Sequence, residues 1–137
     1  MTGRIIQGTI LGVVLALVFN WLAYLFGQSR GVSYLVLEGG GADPTAVSLG
    51  MILLAGSISI IIGAVILWVL GRFTDNPLTI FLWISAIVLL VSLFPVYQAS
   101  LGMGTFAILG ITHIITAVAG ILGLAIFFQR CDDCVKA

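Results

Sequence analysis

The sequence predicts an all-α protein integral to a membrane: a four-helix bundle of up-down-up-down topology, with both chain ends on the cytoplasmic side. Three observations predict it. Hydrophobic residues make up 61% of the chain and charged residues 7%, against roughly a quarter charged in an ordinary soluble domain. Four apolar runs, approximately 5–26, 44–70, 77–96 and 104–128, each approach or exceed the ~20 residues that a helix needs to cross ~30 Å of hydrocarbon. All the fixed charges lie outside these runs, the basic ones at Arg4, Arg30, Arg72, Arg130 and Lys136 and the acidic ones at Glu38, Asp43, Asp75, Asp132 and Asp133. A transmembrane β-barrel would need strands of about ten alternating apolar and polar residues, a pattern this chain lacks. The 137 residues read as one transmembrane domain.

The first run is longer than the roughly 7–15-residue core of a secretory signal, and no small-x-small site precedes Phe26-Gly27-Gln28, so a retained helix is expected. The second is expected to start at Pro44 with Asp43 as its cap, and the third at Pro77 with Asp75 or Asn76 capping it, because Pro suits the first helical position. Gly71 follows the second run as a C-terminal stop, and the short connection to Asn76 makes helices two and three antiparallel neighbours. Between the first two helices lies the largest connection, 28–45. Its Ser33-Tyr34-Leu35-Val36-Leu37 portion is rich in strand formers and is expected to cap the outer mouth of the bundle. A ligand-gating lid and a docking site for another subunit are the alternatives. A tail, 129–137, follows the fourth helix.

Orientation follows from the excess of Lys and Arg in cytoplasmic loops. With both ends inside, Arg4, Arg72, Arg130 and Lys136 are cytoplasmic and only Arg30 is outside. Trp21, Tyr24 and Tyr97 then approach the outer boundary and Trp68 the inner one, whereas Trp83 sits deeper than an interfacial aromatic should. A bacterial cytoplasmic (inner) membrane location is expected.

Small residues recur every four positions at Gly8, Gly12 and Ala16, a stripe continued by Asn20. Ala55, Ser59 and Gly63 do the same in helix two, and Thr112, Thr116 and Gly120 in helix four. Such stripes let backbones approach where lipid removes the hydrophobic drive for helix association. Packing within the chain and an oligomer interface are both open readings.

His113, the sole histidine, lies within the fourth run, about 14 Å from its outer start. Asn20 and Ser92 fall about 12 and 8 Å from the same side, so the three can form one polar layer. An ionisable residue inside a span is a functional candidate. A neutral imidazole is equally satisfied by one donor and one acceptor, for which Thr112, Thr116, Asn20 and Ser92 are available. Haem ligation would want a second axial ligand, and Met51 and Met103 have no motif behind them. The Cys131-Asp132-Asp133-Cys134 tail could be a redox pair or half of a zinc site. It lacks two ligands for zinc, and its aspartates disfavour a reactive thiolate, so a solvated, chemically quiet tail is expected.

No phosphate-binding glycine motif, nucleophile elbow or HExxH is present, and net charge is zero. Catalysis, a cofactor and nucleic-acid binding are therefore not expected. The expected partners are membrane lipids, further copies of the chain or other membrane subunits. A non-catalytic structural or accessory subunit is the leading reading; a small transporter or pore using the layer around His113, and a redox or metal protein using Cys131 and Cys134, are the alternatives.

Asn20 late in the first span, Ser92-Leu93-Phe94-Pro95 ending the third and His113 in the fourth resemble a family of four-span bacterial membrane proteins known as a domain of unknown function. The resemblance spans nearly the whole chain and implies the four-helix architecture and a polar core layer. It implies no catalytic residue, and the glycine triplet at 39–41 and the two-cysteine tail are not part of it.

Overall fold

The computed structural model describes residues 2–37 and 43–129. It is an all-α four-helix bundle with one small hairpin: α1 (Thr2–Ser29), β1 (Leu35–Leu37), β2 (Pro44–Ala46), α2 (Leu49–Phe73), α3 (Pro77–Ala99) and α4 (Met103–Gln129). Each helix is long and apolar enough to cross a membrane. The helices outlast most of the apolar runs by a few residues, because the runs mark only the part matched to hydrocarbon. Gly71 lies inside α2, whose end is marked by Thr74, its backbone N–H donating to Leu70 O at 3.0 Å. The third helix continues through Pro95 to Ala99.

The start of α2 departs from expectation. Pro44 does not open the helix, and Asp43 does not cap it. Pro44, Thr45 and Ala46 instead pair antiparallel with Leu37, Val36 and Leu35, and Val47 N–H donates to Tyr34 O at 2.9 Å. An Asp-Pro step reads equally as helix start or as extended chain. The strand-forming run at 35–37 tips it to extended, because pairing satisfies backbone groups that α2 would leave open. The helix then begins behind Ser48, whose Oγ accepts from Met51 N–H at 3.3 Å.

The hairpin lies across one end of the bundle and is tied to the α3–α4 connection. Leu101 N–H donates to Leu35 O at 3.1 Å, and Val36 bridges Ser100. Tyr34 anchors it. With φ at 54° it occupies the left-handed region, at a cost of about 1–2 kcal/mol for a non-glycine residue. Three contacts offset that strain: its hydroxyl donates to Tyr24 O at 2.8 Å, its ring stacks on Tyr24 at 4.5 Å between centroids, and its carbonyl accepts from Val47. Gly27 leaves the space, since a Cβ there would run into the Tyr34 hydroxyl.

Around the bundle, α1 packs most extensively on α4 and next on α2, while α3 touches α2 and α4 from the opposite side. The α1 face turned inward is Ile5, Gly8, Gly12, Ala16, Asn20 and Gly27. It meets α4 antiparallel, Gly8 against Gly123 and Gly12 against Ala119 and Gly120. The inward face of α2 is Ile52, Gly56, Ile60, Ala64 and Leu67. In α3 only Phe81 is buried, and Leu90 is 70% exposed. An apolar surface this extensive is unfavourable in water and is matched by hydrocarbon.

Candidate functional site

The loose seating of α3 sets the site. Because α1, α2 and α4 close on one another through small residues while α3 buries one side chain, a cavity of about 570 Å³ remains between α2, α3 and α4. Its wall runs along α4 from Leu109 to Leu124, ~22 Å of helix. That gives an average section of ~26 Å², the width of a hydrocarbon chain or a ring seen edge-on. Most of the wall is aliphatic. The polar groups on it are Ser59, Ser85, Ser92, Thr112, His113 and Thr116.

The three residues expected to form a polar layer occupy two places. Ser92 and His113 both line the cavity and do not hydrogen-bond each other: Ser92 Oγ donates to Leu89 O and His113 Nδ1 lies against Leu109 O, each at 2.8 Å. Asn20 is 1% exposed and sits behind the wall, among α1, α2 and α4. Its Nδ2 donates to Thr116 Oγ1 at 2.8 Å, so Thr116 joins Asn20 to the cavity. The Asn20 Oδ1 is buried without a hydrogen-bond partner among the described residues.

The His113 geometry fixes its tautomer. A carbonyl can only accept, so the 2.8 Å contact with Leu109 O places the proton on Nδ1. Thr112 Oγ1 also donates to Leu109 O at 2.8 Å, an oxygen that as a helix carbonyl accepts the His113 backbone N–H as well. In neutral imidazole, Nε2 is then an acceptor, and the one hydrogen bond of the ring among the described residues is that of Nδ1.

The small-residue stripes fall differently on the three helices. Gly8, Gly12 and Ala16 are buried against neighbouring helices, as are Thr112 and Gly120 in α4, with Thr116 half-buried. In α2, Ala55 and Ser59 are exposed on the cavity wall and Gly63 faces the Phe81 ring; the buried stripe lies one residue on, through Gly56 and Ile60. Two positions not singled out in the sequence matter most. Gly56 backs the Asn20–Thr116 bond, and Gly123 meets Gly8. The four-residue spacing Ile52, Gly56, Ile60, Ala64, and the step of three from Gly120 to Gly123, were the available signals.

Among the described residues, no three His, Cys, Asp or Glu side chains come together as a metal site. Cys131 and Cys134 lie outside the described residues. In the hairpin, burial, and secondarily the Tyr24 phenol, push the Tyr34 hydroxyl above its usual value of 10.0.

No curated protein and no solved structure matches the chain. The family model that does match covers residues 1–130. It takes in Asn20, the Ser92–Pro95 segment and His113, and stops before Cys131. The chain belongs to that family, the family of unknown function DUF6069.

Proposed function

We propose that this chain is a non-catalytic, multi-pass protein of the bacterial cytoplasmic membrane, both ends facing the cytoplasm, that holds a small apolar molecule between α2, α3 and α4. The single observation that carries this reading is the cavity of about 570 Å³, with His113 among the residues of its wall. Its volume is in the range of small-molecule sites, and an aliphatic wall with a few fixed polar groups is their usual make-up. Four apolar helices support the membrane setting, and the distribution of basic residues supports the orientation.

An accessory subunit that acts by association draws its support from the small-residue stripes. In this fold the α1 stripe packs within the chain, Gly8 against Gly123 and Gly12 against Ala119 and Gly120, while Ala55 and Ser59 of the α2 stripe are exposed on the cavity wall, which favours the cavity reading.

The test is extraction of the full-length protein in mild detergent, followed by mass spectrometry of the organic-soluble material bound to it. Wild type should retain an amphiphile at near-stoichiometric level, and Ser59→Leu, which projects into the cavity, should lose it. Recovery of bulk membrane lipids alone, in the same ratios from both proteins, would overturn the reading.

A further inference from the structure

We infer that the molecule held in this cavity is uncharged, largely apolar, and carries a hydroxyl that donates to His113 Nε2 and accepts from Thr116. This rests on the cavity reading above and narrows its ligand class.

The hydrogen-bonding state of the wall leads there. The hydroxyls of Ser59, Ser92 and Thr112 have each given their hydrogen to a carbonyl of their own helix, Ala55 O, Leu89 O and Leu109 O, all at 2.8 Å. What they can offer the cavity is lone pairs. His113 adds a further one, because Leu109 O holds the proton on Nδ1 and leaves Nε2 open. The wall is therefore rich in acceptors, and its complement is a donor.

Ser85 and Thr116 are the exceptions. Ser85 makes no hydrogen bond among the described residues and the Thr116 oxygen accepts from Asn20, so each keeps a hydrogen to give, and Thr116 is the one beside His113. His113 and Thr116 are three residues apart on α4 and both line the cavity, a spacing that puts them on one helix face. An acceptor beside a donor matches a hydroxyl, which is both at once. A carbonyl compound could use only Thr116 and an ether would leave Nε2 unpaired. Among the described residues no Asp, Glu, Lys or Arg lines the cavity, so an ionised ligand would lose its hydration without a counter-charge from them.

An ordinary acyl chain reaches this depth but carries no hydroxyl there, and would leave His113 Nε2 and the Thr116 hydroxyl unpaired. His113 lies ten residues, ~15 Å, from the start of α4 at Met103. The polar group to be recognised therefore sits far below the end of α4, away from the surface where a headgroup resides. The narrow section favours a chain or a single ring with a chain attached.

The probe pair is para-octylphenol and its methyl ether, which share a shape and differ in the donor. The full-length protein, labelled with nitrogen-15 histidine, is placed in phosphatidylcholine nanodiscs. Binding is measured by equilibrium dialysis against empty discs, and the single imidazole is followed by NMR. The phenol should be retained about tenfold more tightly than the ether, the scale of one hydrogen bond that otherwise leaves an acceptor unpaired, and it should shift Nε2 saturably while the ether does not. His113→Phe should reduce the phenol to the affinity of the ether. Equal retention of both compounds with no shift at Nε2 overturns the hydroxyl inference and leaves the cavity reading standing. Retention of neither above empty discs overturns both. Because the phenol and ether are compared on the unaltered protein, the outcome stands even if His113→Phe does not fold.

Discussion

Gly8 and Gly123 bring α1 and α4 into backbone contact: a Cβ on Gly8 would lie 2.6 Å from the Gly123 carbonyl oxygen, and one on Gly123 would collide with the Gly8 carbonyl in turn. The approach is possible only because neither residue has a side chain, and it sets the closeness of the most extensive helix pair in the fold. Alanine at either position must push backbone against backbone, which cannot yield as a flexible side chain can. Gly8→Ala and Gly123→Ala are each expected to cost about 1–3 kcal/mol in reversible detergent unfolding. Gly3, also in α1, has nothing within 4 Å of its would-be Cβ. Gly3→Ala should gain up to about 1 kcal/mol through helix propensity. Equal effects at Gly3 and Gly8 would contradict the packing.

The bond from Asn20 Nδ2 to Thr116 Oγ1 crosses between helices in an apolar setting, yet the other end of the same amide is buried without a partner. The bond's gain is thus set against a desolvated acceptor. A double-mutant cycle of Asn20→Ala and Thr116→Val should give a coupling of about 0.6 kcal/mol and at most about 1.7 kcal/mol, the average and the maximum for such bonds between membrane helices. A coupling of zero would mean the two side chains do not act together.

Architecture was legible before local detail because the two are set by different physics. Hydrocarbon thickness dictates the length of an apolar run, and charge cannot be buried there cheaply, so four spans could be read from 5–26 to 104–128 with errors of only a few residues. The inward face of α1 was equally readable, since Gly8, Gly12, Ala16 and Asn20 differ in size or polarity from the Ile, Val and Phe around them. In α2 the same reasoning picked Ala55 and Ser59, which are exposed on the cavity wall, and passed over Gly56, which is buried. With lipid as solvent both faces of α2 are apolar, and hydrophobic period no longer tells inside from outside. The separation of Asn20 from Ser92 and His113 was not legible either, because similar depth says nothing about which way a residue faces.

Helix capping gives a direct test of where α2 begins. Ser48 Oγ accepts from Met51 N–H at 3.3 Å, whereas Asp43 precedes a strand. Ser48→Ala should lower stability by about 0.5–1 kcal/mol, and Asp43→Ala should change it by less than about 0.5 kcal/mol. The reverse ranking would restore Pro44 as the first residue of the helix.

Tyr34 makes the hairpin sensitive to alkali. It is 3% exposed, and burial raises its folded-state pKa above the usual 10.0. The folded protein therefore holds the phenolic proton more tightly than the unfolded chain. Stability from this group is complete below pH about 10 and declines as pH rises toward the higher folded value. Stability measured across that range should fall in wild type and fall less in Tyr34→Phe, which has no proton to lose. The variant should start lower, because the bond to Tyr24 O and its anchoring of the hairpin are gone. A wild-type curve with no decline above pH 10 would contradict the burial of the phenol.

Adjacent positions on α2 should respond in opposite ways to the same substitution. Ser59 and Ala55 are exposed into the cavity, where extra methylenes meet open space and an aliphatic wall. Gly56 is buried, and a Cβ there would already lie 3.0 Å from Thr116 Oγ1 and 3.4 Å from Asn20 Nδ2. Leucine at 55 or 59 should leave stability within about 1 kcal/mol of wild type, since partial filling of a void returns some contact energy. Leucine at 56 should cost about 3 kcal/mol by prising α2 from α4 and breaking the Asn20–Thr116 bond. Unfolding of the three variants in one detergent decides it. A well-tolerated Gly56→Leu beside a damaging Ser59→Leu would rotate α2 and remove the cavity from between α2, α3 and α4.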